Sequence, residues 1–313
     1  MTSDRFTSLV GCRRPLLQAG MGGVATAELA TAVAGAGALG MLGMPMAPPE
    51  VIGAVLDAMT VPPGGAVGVN FLMPFVNPAS VEAAAGKARV IEFFYAEPVP
   101  ALVEIAHAGG SLAAWQVGSA DEARAAADAG CDIVIAQGVE AGGHVRGRIG
   151  LLPLLDAVLD AVDIPVVAAG GIGSARAARA VMAAGADAVR VGTRFLAAAE
   201  ADVHPEYLAR LIDAEADDTV LTTAFSVMWP DAPHRVLRSA VAAAEALPGD
   251  VAGEMEMGSD RVPLPKFAVP CPGRTTTGTI AAMALYAGES VGSVRRVQPA
   301  ADIVDELLAG IDG

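Results

Sequence analysis

Aromatic side chains are scarce in this chain: Phe, Tyr and Trp make up 4% of 313 residues, although hydrophobic residues make up 53%. The apolar mass therefore lies in Ala and Val spread over many short segments, which implies buried parallel strands and small-residue helix packing. Long apolar runs are also missing. Gly, Pro or a charge interrupts each before the roughly 18 residues that a membrane span needs, so no transmembrane helix and no membrane partner are expected. Positive charge is in short supply, with 20 Lys and Arg against 35 Asp and Glu and a net charge of −15. That balance excludes a phosphate-backbone partner, and no nucleic-acid binding is expected.

Cysteine is nearly absent. Cys12, Cys131 and Cys271 are odd in number, far apart and outside any C-x-x-C spacing, the pattern of reduced, buried thiols without a catalytic role in a cytosolic protein. Residues Met1 to Val10 include Asp4 and Arg5 with no extended apolar segment behind them, unlike a secretory signal, so a cytoplasmic location is expected. There is no H-E-x-x-H, Cys/His metal spacing, EF-hand loop, G-x-S-x-G elbow or Walker lysine, and no metal is expected. The glycines of Gly35–Gly40 follow a helix instead of opening one, which argues against a Rossmann unit.

What is present is a rhythm of short apolar runs alternating with Ala-rich helical patterns, as in consecutive βα units. Eight strands are predicted: Leu16–Ala19, Ala38–Leu42, Ala66–Phe71, Val90–Phe94, Ser111–Gln116, Asp132–Gln137, Pro165–Ala169 and Ala188–Val191. Helices are predicted at Thr26–Ala36, Pro49–Met59, Pro98–Ala108, Asp121–Ala129, Leu151–Ala161 and Ala175–Ala184, and two more close the chain at Thr276–Tyr286 and Ala300–Ala309. Eight such units predict an α/β fold, a (β/α)8 TIM barrel, in one piece of this length. After Pro205 the rhythm is lost. The expected organisation is a barrel over 1–214, an irregular or helical insertion over 215–274 that acts as a lid on the barrel mouth, and C-terminal helices over 275–313 that complete the outer ring.

Barrel enzymes place their chemistry at the C-terminal strand ends, and unusual residues cluster there. The seventh strand runs into Gly170-Gly171-Ile172-Gly173 and the eighth into Gly192-Thr193. Such loops let backbone approach an anion closely, and Ser174 is placed to cap the helix that follows. A phosphate site is therefore predicted at these two loops. Glu140-Ala-Gly-Gly-His144 puts an imidazole on a flexible loop after the sixth strand, with no apolar neighbours to bury it, so His144 is a candidate for proton exchange. His107 and His204 read as structural or solvated. His234, in the presumed lid, is a weak substrate-contact candidate.

Those residues give the chain a resemblance to the nitronate monooxygenase family, once called 2-nitropropane dioxygenases, whose relatives include flavin-dependent enoyl-acyl-carrier-protein reductases. The resemblance spans nearly the whole chain. Its most specific pieces are Ala136-Gln-Gly-Val-Glu-Ala-Gly-Gly-His144, Pro165-Val-Val-Ala-Ala-Gly-Gly-Ile172 and Val191-Gly-Thr-Arg-Phe195; weaker ones are Pro15–Met21, Gly68-Val-Asn70 and Tyr286-Ala-Gly-Glu-Ser290. It implies FMN as cofactor, with the phosphate on Gly170, Gly171, Gly192 and Thr193. Ala19, Gly20 and Met21 would border the isoalloxazine, Asn70, Gln137 and Gly142 would contact the ring or ribityl chain, and His144 would be the active-site histidine. The implied reaction oxidises an alkyl nitronate with O₂ to a carbonyl compound and nitrite. Glu289 stands where many relatives are expected to carry Gln. The residues leave two alternatives open: an FMN-dependent NAD(P)H oxidoreductase acting on an enoyl thioester or quinone, and a non-catalytic flavin- or phosphate-binding barrel. Oligomeric state is left open.

Overall fold

In the computed structural model, residues 4–44, 46–258 and 260–311 are described. The strands in chain order are β1 (Leu16–Gln18), β2 (Leu39–Gly43), β3 (Ala66–Leu72), β4 (Val90–Phe94), β5 (Leu112–Val117), β6 (Ile133–Gln137), β7 (Gly143–His144), β8 (Val166–Ala169), β9 (Ala188–Val191), β10 (Thr219–Thr222), β11 (His234–Leu237), β12 (Val251–Met257), β13 (Asp260–Pro265) and β14 (Thr277–Gly278). The α-helices are α1 (Arg5–Val10), α2 (Ala27–Gly35), α3 (Pro49–Ala58), α4 (Pro78–Ala84), α5 (Pro100–Ala108), α6 (Ala120–Asp128), α7 (Leu151–Leu159), α8 (Ala175–Ala183), α9 (Pro205–Ile212), α10 (Arg238–Ala246) and α11 (Ala300–Leu308).

Eight strands form a closed parallel barrel in the order β1-β2-β3-β4-β5-β6-β8-β9, with β9 returning to β1 through Leu16↔Val189. The fold is the (β/α)8 barrel that the alternating apolar runs predict. All eight barrel strands lie within one residue of their predicted bounds, because strands buried on both faces read as short unbroken apolar segments. The predicted helices from Thr26 to Ala184 agree within two residues at each end; α1 and α4 carry too few periodic apolar positions to be read from the sequence.

The core has two layers. Inside the barrel, Leu17, Leu39, Met41, Val90, Ile133, Ile135 and Val167 pack with Phe6, Val10 and Cys12, so α1 and the turn after it close one end of the barrel interior. Outside it, the helices pack on the other strand face through Leu29, Val33, Leu154, Val158, Val181 and Trp115. The helix layer lies very close to the sheet at one point: a Cβ added to Gly40 would stand 2.0 Å from the Ala30 carbonyl oxygen. Gly40→Ala should therefore force α2 off β2 and cost about 1–3 kcal/mol, read as a lower urea midpoint at unchanged slope.

The second half corrects two expectations. Residues 215–274 hold four strands, β10 to β13, and one α-helix, α10, joined by irregular stretches; the strands are what the expectation of an irregular or helical segment missed. β10, β11 and β7 form an antiparallel sheet, while β12 pairs with β13 and β14. Along β12 the sequence Val251-Ala-Gly-Glu-Met-Glu-Met alternates in a strand period that its charges hid. Thr276–Tyr286 is not an α-helix either, despite its Ala-rich composition. Gly278 takes φ +116° in β14, only Ile280–Ala282 forms a 3-10 turn, and the Leu285 carbonyl accepts from Leu237 N–H at 2.8 Å. Tertiary pairing overrides local propensity there. α11 does form where Ala300–Ala309 is predicted.

Candidate active site

A cavity of about 590 Å³ opens at the C-terminal ends of the barrel strands, within the size range of small-molecule and cofactor sites. The eleven residues that the resemblance assigns to the cofactor and active site all line it: Ala19, Gly20, Met21, Asn70, Gln137, Gly142, His144, Gly170, Gly171, Gly192 and Thr193. They come from five strand ends and meet because the barrel brings every strand end to one rim.

One wall is a cradle of backbone. Gly170 and Gly171 take φ +105° and +67° between β8 and α8, and Ser174 caps α8 by accepting from Ala177 N–H at 3.3 Å. A Cβ on Gly192 would reach only ordinary contact, 3.4 Å from the Ala19 Cβ, so the space above it is available to a ligand. The wall is tied to the segment after Tyr286. Gly288 N–H donates to Thr193 Oγ1 at 3.0 Å, and a Cβ on Gly142 would lie 2.4 Å from Gly288 N. Helix N-terminus, left-handed glycines and a hydroxyl together are chemistry for an anion.

His144 is held from several directions. Its backbone belongs to β7, paired with β11 through His234↔His144, and its carbonyl accepts from Gln137 Nε2 at 3.1 Å. Its ring stacks on Trp229 with centroids 3.9 Å apart at 19°, meets Tyr95 edge-on at 5.9 Å, and lies 5.7 Å from Tyr286 and 5.3 Å from His234. Tyr95 and Met228, from two different segments, both adopt left-handed backbone (φ +78° and +82°) at this site, a conformation that costs energy in residues of this bulk. Burial, and secondarily the charge His234 would carry, push the His144 pKa down to about 3, so the ring is neutral at physiological pH. Its Nε2 is buried without a hydrogen-bond partner, and so is Gln137 Oε1. Both residues border the cavity, so a polar ligand there would satisfy atoms that are costly to leave bare.

His234 is not a substrate contact. It is fully buried behind His144, with Nδ1 2.8 Å from the Ala232 carbonyl and Nε2 accepting from Phe225 N–H at 3.2 Å. The Phe225 bond requires Nε2 to be the acceptor, so Nδ1 carries the proton and the ring is neutral. Glu289 points away from the cavity toward Arg235 at 3.1 Å, while Arg235 also donates to the Val139 carbonyl; this bridge fastens the loop before His144 to the segment at 288–290. Glu140 accepts from Leu151 N–H at 3.0 Å and so closes the same loop onto α7. His107 and His204 are structural, the first beside Asp132 at 2.8 Å and the second accepting from Glu206 N–H at 3.1 Å. Cys12 and Cys131 are buried as expected, but Cys271 is only partly buried and lines the cavity. Burial pushes its thiol up to about 12, which keeps it protonated.

Several site residues were not read from the sequence. Tyr95 and Trp229 carry no local motif, and Tyr286, though it opens the Tyr286–Ser290 piece of the resemblance, was given no role; the three arrive from separate segments. Met44, Met46, Met228, Met255 and Met257 extend the cavity outward, with Met46, Met228 and Met257 half-exposed at its edge. Below the rim, Arg190 of β9 meets Glu92 of β4 at 2.8 Å. A lone charge inside each of the apolar runs Val90-Ile-Glu-Phe-Phe94 and Ala188-Val-Arg-Val191 was the available signal. Among the described residues, no group of three or more His, Cys, Asp or Glu could hold a metal ion, and no helix is long and apolar enough to cross a membrane.

Comparison with known proteins agrees with this geometry. FabK from Thermotoga maritima superposes with a TM-score of 0.79 at 29% identity, covering 98% of this chain and 95% of that one. A nitroalkane oxidase from Streptomyces ansochromogenes gives a TM-score of 0.75 at 29% identity, with 97% of each chain covered. Among curated proteins, a (3aS,4S,5R,7aS)-5-hydroxy-7a-methyl-1-oxo-octahydro-1H-indene-4-carboxyl-CoA dehydrogenase of Mycobacterium tuberculosis is 35% identical over 238 residues, 75% of this chain and 66% of that protein. The chain thus spans just under two thirds of that relative's length. The barrel, the glycine cradle and the imidazole meet at one cavity, an arrangement shared with a barrel enzyme family. Residues 65–310 match the family described as nitronate monooxygenase, and the chain belongs to that family.

Proposed function

We propose that the cavity holds FMN and that the protein oxidises alkyl nitronates with O₂ to a carbonyl compound and nitrite. The observation that carries this reading is a neutral, clamped imidazole whose partnerless Nε2 borders the same cavity as the glycine cradle. The residues fit a flavin mononucleotide. Gly170, Gly171, Gly192 and Thr193 would hold its phosphate, Gln137 Oε1 and Gly142 would meet its polar edge or ribityl chain, and Ala19, Gly20, Met21 and Asn70 would border its ring. Bound there, the flavin supplies the electron acceptor for the nitronate and the route to O₂.

The remaining work falls to the protein's own side chains. A nitronate carries its charge on the nitro oxygens, and His144 would orient it by a hydrogen bond from Nε2. An imidazole pushed down to about 3 is a poor acceptor for a carbon-bound proton, so orienting the preformed anion suits it better than deprotonating a neutral nitroalkane. Nitronates should accordingly be turned over much faster than the parent nitroalkanes at neutral pH. Residues 215–274 supply Met228, Met255, Met257, Val269 and Pro270 to the cavity wall, which supports their assignment as a lid that limits water. The three unpaired thiols suit a reducing, cytoplasmic compartment.

The test is direct. The purified protein should be yellow, release FMN by mass, bleach anaerobically with an alkyl nitronate and produce nitrite in air. Bleaching by NADH or NADPH with no response to nitronates would overturn the reaction. That second reading, a nicotinamide-dependent enzyme acting on an acyl thioester, is favoured by one feature, the methionine-rich outer cavity, which is more apolar than a small nitronate requires. The CoA-dehydrogenase relative points the same way.

The clamp on His144 can be tested separately. Trp229→Leu removes the stacking face while keeping an apolar side chain, and should lower kcat/KM about 10–100-fold by loosening the imidazole. FMN affinity should stay within about twofold, because Trp229 is outside the cradle.

A further inference from the structure

β4 and β9 stand opposite each other in the closed sheet, four strands apart in either direction. Each sends one charge into the barrel interior. Arg190 Nη1 lies 2.8 Å from Glu92 Oε1, and the two side chains are 8% and 0% exposed. Asn70 Nδ2 donates to the same oxygen at 2.7 Å, while Glu92 Oε2 is buried without a hydrogen-bond partner. Arg190 and Asn70 line the cavity but Glu92 does not, so the carboxylate backs the guanidinium from below.

This pair is a poor stabiliser. Taking both charges out of water costs more than their attraction reliably returns, and apolar residues of similar volume would fill a barrel as well. Burial raises the pKa of Glu92 and lowers that of Arg190, and each opposes the other's shift by mutual attraction. What the pair does provide is a fixed field at the cavity floor. Arg190 is the only Lys or Arg among the described residues that line the cavity, and an arginine keeps its charge. A flavin ring gains negative charge when it accepts electrons, and charge placed near the ring tunes its potential.

We propose that the Glu92–Arg190 pair sets the reduction potential of the bound flavin: Arg190 favours the electron-rich anionic ring, and Glu92 attenuates that pull. This rests on the reading that the cavity holds FMN. It makes a prediction of sign that a merely structural role would not. Removing Glu92's charge leaves the cation unopposed. Removing Arg190's charge withdraws it, and the abandoned Glu92 takes up a proton instead of staying ionised unpaired.

The experiment compares holoenzymes by dye-equilibrated midpoint potential and by spectral titration with sulfite, an anion that adds to oxidised flavin more tightly as the ring becomes electron-poor. Glu92→Gln should shift the potential positive and tighten sulfite about tenfold. Arg190→Gln should shift it negative and weaken sulfite about tenfold. Arg190→Lys, which keeps the charge and most of the packing, should stay near the parent value. Shifts of the same sign for Glu92→Gln and Arg190→Gln, no shift in either, or an Arg190→Lys variant as displaced as Arg190→Gln would each overturn the inference while leaving FMN binding intact. A protein that takes up no flavin would fail the cofactor reading, and this inference with it.

Discussion

Replacing His144 with Ala should lower kcat/KM for an alkyl nitronate by about 10²–10⁴-fold while the flavin spectrum is retained. The size follows from what is removed. Nε2 is a buried polar atom left without a partner beside the cavity, as Gln137 Oε1 is, and Trp229, Tyr95 and Tyr286 hold the imidazole ring in place before substrate arrives. Stopped-flow bleaching under anaerobic conditions isolates the step in question, since O₂ is then absent. A variant that bleaches at the parent rate would remove His144 from the chemistry.

The same residue fixes a pH dependence of stability. Its folded pKa of about 3 lies below the ordinary histidine value of 6.5, so the unfolded chain binds the proton more readily. The contribution of the neutral ring is therefore complete above about pH 6.5 and is lost as pH falls toward 3. In that window the melting temperature of His144→Ala should fall less steeply with acid than that of the parent protein. Parallel curves would show that the imidazole is not held neutral.

Gly171→Asp should weaken FMN binding about 100-fold, and Gly171→Asn should stay within about tenfold of the parent. Gly171 takes φ +67°, a left-handed conformation that Asn and Asp tolerate better than other residues. A Cβ there would touch the Glu140 Cβ at 3.4 Å without severe overlap. The two substitutions therefore match in shape and differ in charge. Unit charges about 4 Å apart interact with about 4 kcal/mol at an effective dielectric of 20, and each 1.4 kcal/mol is tenfold in affinity. Gly171 is exposed on one side, so salt should recover part of the loss. Fluorescence titration of flavin-free protein at two ionic strengths reads both effects; equal losses for Asn and Asp would mean that no anion sits in the cradle.

The barrel was legible because its strands are buried on both faces and so appear as short apolar runs between glycine turns. That the glycine turns and the His144 loop gather at one rim was legible for a related reason: tight turns and flexible loops both draw glycine, and glycine is visible one residue at a time. The aromatic clamp was not, because Tyr95, His144, Trp229 and Tyr286 meet only after the chain has closed the barrel and returned over its mouth. Local composition also misled at Thr276–Tyr286, where alanines favour a helix but the backbone bonds to β11 and β12 instead. His234 was drawn toward substrate by its position in the insertion, whereas its two nitrogens are spent on Ala232 and Phe225.

Because β7 is hydrogen-bonded to β11, the histidine's own backbone is a strand of the covering sheet. Exchanging residues 215–274 for those of a relative would therefore redraw the outer pocket and re-aim the imidazole in the same stroke. On the proposed function, specificity and reactivity would be mechanically geared, and a graft that keeps both would have to carry residues 138–148 along with residues 215–274.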